Sequence, residues 1–392
     1  MSGDKVLALS EAGNRAFHDG NVEKALLLYN EAIQLHPTNF ILYSNRSAIL
    51  LRLKCFRESL ADAKQTLVLN PKCAKGYYRK GDALRGIGKF DEAIFAYCQS
   101  LAIANTIETI KALKDGLCHS SIKNHLSVLL SQIGNDVDEV PLNAFLIISI
   151  IGQEYLIVGH VAEAVALLEL ALDMSEANVA SLDLRLSVLG AISFAYYQQK
   201  NYQQAIKYLD MQLEISKQLG QLEKQLTIYN SIVQIALLND EATLAISYLR
   251  EQIQLNYSNG MEAGELQLHL ADLYIQLGDY QHALQIITSI QPLTFQCIVE
   301  IVKVALAKND SRTALIYCSR LEEMSCSVVE EALAVLLKCK CLLLRKEAIG
   351  ALRILQNAMA HFGNDKITAE IVWFLSKTNT KLKCDISDGI NE

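Results

Sequence analysis

The chain has 392 residues, of which 51% are hydrophobic and only four are proline, so helices can run almost everywhere along it. No uncharged apolar stretch reaches about 18 residues, which argues against a membrane span. The N-terminus lacks the basic start and apolar core of a signal peptide. Residues 1–115 carry 16 Lys and Arg against 12 Asp and Glu, whereas the rest carries 20 against 31. The N-terminal region is thus weakly basic and the remainder acidic, which argues against nucleic-acid binding and suits an N-terminal region that receives an acidic peptide.

The first 105 residues repeat with a step of 34. Small residues recur at two positions of this repeat, a tyrosine follows them in the first and third units, and prolines close the first two units. This pattern predicts three pairs of short helices, because small residues let two helices approach and proline ends the second one. The positions in register are Gly13, Ser47 and Gly81; Ala25, Ser59 and Ala93; Tyr29, Ala63 and Tyr97; Gly20, Lys54 and Gly88 at the turn; Pro37 and Pro71 at the end.

Beyond the third unit the repeat continues with longer steps. We interpret 1–134 as three repeats with a capping helix from 106, 135–141 as a linker, 142–377 as a second helical array and 378–392 as a flexible tail. The alanines that mark the later units are Ala164, Ala205, Ala245 and Ala283, with Ala314 and Ala351 as two weaker ones.

These residues resemble the tetratricopeptide repeat family, three of whose units follow one another in register at the N-terminus. The resemblance implies an all-α fold, a right-handed superhelical solenoid of helix-turn-helix repeats. In this family the first helix of each unit lines the concave face.

The stretch "NFILYSNRSAIL" places Asn45 on one of these first helices. A single asparagine there is typical of a solvated polar position. Asn14 on the first unit, with Lys75 and Arg79 on the third, offers a second interpretation, because Lys75 and Arg79 are four residues apart and share one helix face. Two amides and two cations then face one groove, which is the chemistry that a carboxylate requires.

This set, with "GNRAF", "LYSNRSA" and "KGYYRKGDAL", resembles the carboxylate clamp of chaperone adaptors of the Hop/Sti1 type. The resemblance implies that the groove holds the Glu-Glu-Val-Asp end of seventy- and ninety-kilodalton heat-shock chaperones, or another acidic protein tail. The family has a further lysine where this chain has Ser10, so binding is expected to be weakened.

A second resemblance covers the chain to about residue 290. The order of three short units, a spacer and longer units is similar to the start of scaffolds of the tetratricopeptide repeat protein 28 type, which are associated with cell division. The alternative function is therefore a cytoskeletal scaffold that binds protein partners without binding chaperone peptides.

Catalytic motifs are missing from the sequence. It contains no P-loop, no G-x-S-x-G and no dinucleotide-binding fingerprint, and its eight histidines are dispersed. Ten cysteines form no C-x-x-C pair, which is typical of thiols in a reducing compartment. We expect a cytoplasmic protein that is not an enzyme, has no metal or cofactor, and binds neither nucleic acid nor membrane.

Overall fold

The computed structural model describes residues 2–126, 143–175, 181–325 and 327–362. Every regular element among these residues is an α-helix, which confirms the expected all-α fold of helix-turn-helix repeats. The predicted linker 135–141, the end of the capping segment and the tail 378–392 lie outside the described residues. Of the described helices, none has both the length and the apolar character that a membrane span requires.

The helices follow one another mostly as pairs joined by short turns. The first are α1 (Ser2–His18), α2 (Val22–Leu35), α3 (Phe40–Arg52), α4 (Phe56–Leu69), α5 (Ala74–Ile87), α6 (Phe90–Ile103) and α7 (Ile107–Leu117). The later ones are α8 (Ala144–Val158), α9 (Val161–Ser175), α10 (Leu182–Gln198), α11 (Tyr202–Gln218), α12 (Leu222–Leu238), α13 (Ala242–Ser258), α14 (Gly264–Gln276), α15 (Tyr280–Ser289), α16 (Phe295–Ala307), α17 (Ser311–Met324), α18 (Val328–Leu344) and α19 (Ala348–Phe362).

The turn inside each described pair contains one residue with a positive φ. These residues are Gly20, Lys54, Gly88, Gly159, Lys200, Asp240, Gly278, Asn309 and Lys346. At Lys54 the turn is closed by two backbone hydrogen bonds, from Cys55 N to Leu50 O at 2.9 Å and from Lys54 N to Leu51 O at 3.0 Å. These bonds satisfy the last carbonyls of α3, which offsets the strain of a side chain at positive φ. The predicted position of the turns is therefore confirmed in the first three pairs.

The second helix of each described pair buries a small residue completely at the same position, five residues after the turn residue with positive φ. The residues are Ala25, Ser59, Ala93, Ala164, Ala205, Ala245, Ala283, Ala314 and Ala351, each with a relative exposure of 0%. The two weaker units, marked by Ala314 and Ala351, thus have the same local packing as the others. A larger side chain at any of these positions would have to separate closely packed helices.

The first and third repeats pack a tyrosine against a glycine. The rings of Tyr29 and Tyr97 are buried, and a Cβ added to Gly13 or Gly81 would lie 2.7 Å from Tyr29 Cε2 or 2.5 Å from Tyr97 Cε1. Glycine is favoured at both positions because an added Cβ would force the tyrosine ring to shift.

In the second repeat, different residues form the equivalent contact between the two helices. Ala63 replaces the tyrosine, which leaves room for Ser47 in place of glycine. Ser47 Oγ and Ser59 Oγ are 2.8 Å apart, and the Ser47 hydroxyl also lies 3.0 Å from Ser59 O. The two buried hydroxyls are therefore satisfied by each other and by the backbone.

The chain divides into two compact units, Met1–Ser231 and Ile232–Glu392. In the first unit, one hydrophobic cluster includes residues from α5 to α10, and Tyr155 of α8 donates a hydrogen bond to Asp91 Oδ1 at the start of α6 at 2.7 Å. In the second unit, the core of α16 to α18 includes Ile298 and Leu337. The domain boundaries inferred from the sequence stay a prediction.

Replacing Gly81 by Ala is expected to destabilise the protein by about 1–3 kcal/mol, because the new methyl group must displace the buried Tyr97 ring. Urea unfolding of the full chain followed by circular dichroism measures the change.

Gly116→Ala is the matched control, because this buried helical glycine has Ile94 at 3.6 Å as its nearest neighbour, which is ordinary contact. Its midpoint should stay unchanged or rise, since alanine is the better helix former by about 1 kcal/mol. A Gly81→Ala midpoint as high as that of Gly116→Ala would contradict the packing described here.

Candidate peptide-binding site

Three helices carry the residues that the sequence assigns to a carboxylate site. Ser10 and Asn14 lie on α1, Asn45 lies on α3, and Lys75 and Arg79 lie on α5, so each of the first three repeats contributes from its first helix. Helix α3 packs against α5 as well as against its own partner α4. We call these five positions the clamp set.

One hydroxyl group joins the two asparagines. Asn45 Nδ2 donates a hydrogen bond to Tyr29 Oη at 3.0 Å, and the Tyr29 hydroxyl donates to Asn14 Oδ1 at 2.6 Å. Because the Asn14 oxygen is occupied, its amide NH2 group points away from the tyrosine, and the Asn14 side chain is exposed. Asn14 is thereby oriented as a hydrogen-bond donor.

The environment of Tyr29 keeps its hydroxyl protonated. Burial raises the pKa of Tyr29, and the hydrogen bond from Asn45 opposes this shift without cancelling it. The neutral phenol is the form that can donate to Asn14, so the orientation of both amides is maintained at neutral pH.

The two cations of the clamp set differ in their surroundings. Lys75 is exposed and forms no ion pair with the described residues. Arg79 is half-buried, with Nη1 at 3.8 Å from Asp82 Oδ2 and its guanidinium 5.4 Å from the centre of the Tyr78 ring. Lys75 is therefore available to an anion, whereas Arg79 already has an acidic neighbour.

Position 10 itself carries a serine, which has no charge. The Ser10 hydroxyl donates to Val6 O at 2.8 Å within its own helix. Lys5, the nearest lysine in sequence, lies 3.0 Å from Glu31. The Ser10 side chain is thus half-buried, with its hydrogen bond already made.

The structure joins Asn14 to Asn45 through Tyr29. Among the described residues, no hydrogen bond or ion pair connects these amides with Lys75 or Arg79, which lie on the neighbouring helix α5. That all four side chains bind one ligand therefore stays a prediction.

Two further residues of this site were not singled out from the sequence. The repeat pattern places Tyr29 in register with Ala63 and Tyr97 and indicates no role for Asp82. A signal for both existed in the repeat: Asp82 stands two steps of 34 after Asn14, and Tyr97 stands two steps after Tyr29. The Tyr97 hydroxyl donates to Asp82 Oδ1 at 2.8 Å, as Tyr29 does to Asn14.

Arg46, next to Asn45, has a structural role. Its Nε and Nη2 each donate to one oxygen of the buried Asp62 at 2.7 Å, and Nη1 donates to Asn30 Oδ1 at 2.9 Å. The bidentate hydrogen bond to Asp62 raises the pKa of Arg46. Adjacent helical residues point in directions about 100° apart, so Arg46 connects α2, α3 and α4 while Asn45 contacts Tyr29.

Comparisons with known proteins bear on these repeats. A family model described as tetratricopeptide repeat matches residues 49–106, and a second model with the same description matches residues 264–288. Human tetratricopeptide repeat protein 28 is 35% identical over 209 residues, which are 53% of this chain and 8% of that protein.

Shorter matches include chaperone organisers. The Hsp70-Hsp90 organizing protein of Triticum aestivum is 44% identical over 100 residues, which are 26% of this chain and 17% of that protein. Among solved structures, the first TPR of Spaghetti (RPAP3) bound to the HSP90 peptide SRMEEVD is 31% identical, covers 29% of this chain and 90% of that one, and has a TM-score of 0.28. The chain thus spans less than a fifth of the length of the two curated relatives.

Replacing Tyr29 by Phe is expected to lower the free energy of unfolding by about 1 kcal/mol, because the ring still fills its space but both asparagines lose a partner. Chemical denaturation measures the change.

Tyr43→Phe provides the comparison. This tyrosine lies on α3 and its hydroxyl donates to Pro37 O at 3.1 Å in an exposed bond. A change within about 0.5 kcal/mol is expected there. Equal effects of the two substitutions would argue against a special role of the Tyr29 hydroxyl.

Proposed function

We propose that this tetratricopeptide-repeat protein is a non-enzymatic cytoplasmic adaptor whose first three repeats bind acidic C-terminal peptides of the Glu-Glu-Val-Asp type carried by heat-shock chaperones. The observation that carries the proposal is the Tyr29 hydroxyl, which orients Asn14 and Asn45 on two successive first helices. The exposed ammonium group of Lys75 on the next first helix adds the positive charge that a terminal carboxylate needs.

The chemistry of these groups suits a carboxylate. Asparagine amides donate hydrogen bonds without adding charge, and lysine adds a charge-assisted bond worth about 1.5–3 kcal/mol. A micromolar complex requires about −8 kcal/mol in total. Two amides, one free cation and one shared cation therefore support weak to moderate binding.

Apolar residues beside the clamp set supply further contact area. Leu7 and Ile41 are 62% and 51% exposed, and both occupy the repeat position that Lys75 occupies in the third unit. An aliphatic side chain near the end of an acidic peptide can remove part of this surface from water, at about 25 cal/mol for each Å². The position thus changes from apolar to cationic along the three repeats.

Sequence similarity to the Hsp70-Hsp90 organizing protein supports chaperone tails as the acidic partner. A scaffold role of the cell-division type is the second candidate. It is favoured by the longer similarity to tetratricopeptide repeat protein 28, which extends over 209 residues, more than the three N-terminal repeats contain. Protein partners of the later helices fit either role.

Calorimetry with a peptide that ends in Glu-Glu-Val-Asp is expected to show binding that Lys75→Ala weakens about tenfold or more and that Arg79→Glu abolishes, because each change removes positive charge from the site that faces the peptide. Lys72→Ala is the control, since Lys72 is exposed, lies close in sequence and is not in the clamp set.

Binding that is equally sensitive to all three changes would indicate attraction to net charge alone. Absence of binding below millimolar peptide would leave the scaffold role.

Ser10→Lys is expected to tighten binding of the same peptide about tenfold, because it adds the cation that related clamps have at this position. Ala8→Lys adds the same charge to the exposed part of α1 two residues away and should change affinity by less than about threefold. Titration of both variants under identical salt conditions compares them. A gain no larger for Ser10→Lys than for Ala8→Lys would place the carboxylate elsewhere.

A further inference from the structure

We infer that Asp82 is a specificity-determining residue that competes with the carboxylates of a bound peptide for Arg79. This inference rests on the proposed function and extends it, because it names a residue that limits which acidic peptides bind. It concerns a side chain that lies on the same helix as Lys75 and Arg79.

Asp82 is held in place from several sides. Its Oδ1 accepts a hydrogen bond from the Tyr97 hydroxyl at 2.8 Å and lies 3.4 Å from Arg85 Nη2. Its Oδ2 lies 3.8 Å from Arg79 Nη1. The side chain is only 13% exposed, so water screens these contacts less than it would on an open surface.

The charges around Arg79 balance one another. Arg85 bridges two carboxylates, since its Nη1 also lies 3.1 Å from Asp115 Oδ2. Arg79, Asp82, Arg85 and Asp115 therefore form a row of two positive and two negative charges with no net charge. An anion that approaches Arg79 must displace or share the interaction that Asp82 already makes, and Asp82 itself repels it.

In the first repeat, the position equivalent to Asp82 is occupied by an uncharged residue. Asn14 is the equivalent of Asp82 and receives the same hydrogen bond from its tyrosine. Its NH2 group remains as a donor, whereas ionised Asp82 has only acceptors. The two equivalent positions therefore differ: Asn14 can donate a hydrogen bond to an anion, whereas Asp82 repels one.

A peptide must bring enough negative charge to compensate for this competition. A tail with several carboxylates can bind Lys75 and the amides with one group while another shares Arg79. A tail whose single carboxylate has to engage Arg79 as well meets the full cost of displacing Asp82. The inferred consequence is a preference for tails with clustered acidic residues over tails with an isolated terminal carboxylate.

The decisive substitution is Asp82→Asn in the full chain. The chain already shows that asparagine fits this position, because Asn14 accepts a hydrogen bond from Tyr29 in the equivalent place. The variant keeps the acceptor for Tyr97 and removes the charge that engages Arg79. Calorimetry with the Glu-Glu-Val-Asp peptide is expected to show affinity increased about three- to tenfold, with a larger relative gain for a peptide that has the terminal carboxylate as its only acidic group.

Asp115→Asn is the matched control. It removes one negative charge from the same row but leaves the Arg79–Asp82 contact intact, and Asp115 is 68% exposed. Its effect on affinity is expected to be less than twofold. Thermal unfolding of both variants confirms that each is folded before the titrations are compared.

The possible outcomes separate the inference from the proposed function. If the unmodified protein binds the peptide and Asp82→Asn binds no tighter, or if Asp115→Asn gains as much, competition by Asp82 is wrong while the proposed function stands. If neither the unmodified protein nor Asp82→Asn binds, both are wrong. A gain confined to Asp82→Asn supports the inference.

Discussion

The close contact between a glycine on one helix and a tyrosine ring on the next connects the packing of this protein with its candidate site. Tyr29 lies against Gly13 and Tyr97 against Gly81, and both rings are buried. Each hydroxyl then reaches back to the first helix of its pair, where it bonds to Asn14 or Asp82. One side chain thus fills the core and orients a polar group. In the second repeat Ala63 replaces the tyrosine, and the position equivalent to Asn14 is an alanine, Ala48.

The distribution of charge on the first helices decides how strongly such a surface can attract an anion. Lys75 is free for a ligand, Arg79 is shared with Asp82, and Ser10 on the first helix carries no charge. Hydrogen-bond donors without charge, such as the Asn14 amide, become more important when cations are few. The arrangement is consistent with selectivity among acidic tails through the number and spacing of carboxylates, because each one must compensate for a specific internal contact.

The later helices repeat the packing of the first ones. Ala164, Ala205 and Ala283 occupy the same buried position as Ala25, and Gly159 and Gly278 form the same turn as Gly20. The residues that orient the amides belong to the N-terminal repeats alone in the part of the chain that the structure describes. Repeats of one architecture therefore supply the framework, and a few substitutions on the first helices distinguish the candidate site.

The sequence alone determined the helix pairs, their turns and the buried small residues, because these depend on spacing between residues that are close in the chain. The step of 34 marks the helix pairs, Pro37 marks a helix end, and Ala25 and Ala93 mark positions where two helices pack closely. It also indicated Asn14, Asn45, Lys75 and Arg79 through resemblance to a family. Only the tertiary structure decided the partner of each polar group. Tyr29 joins two asparagines, Arg46 binds Asp62 and Arg79 faces Asp82. Side chains of similar length compete for the same partners across packed helices, and the distance between the helices decides which partner each side chain reaches.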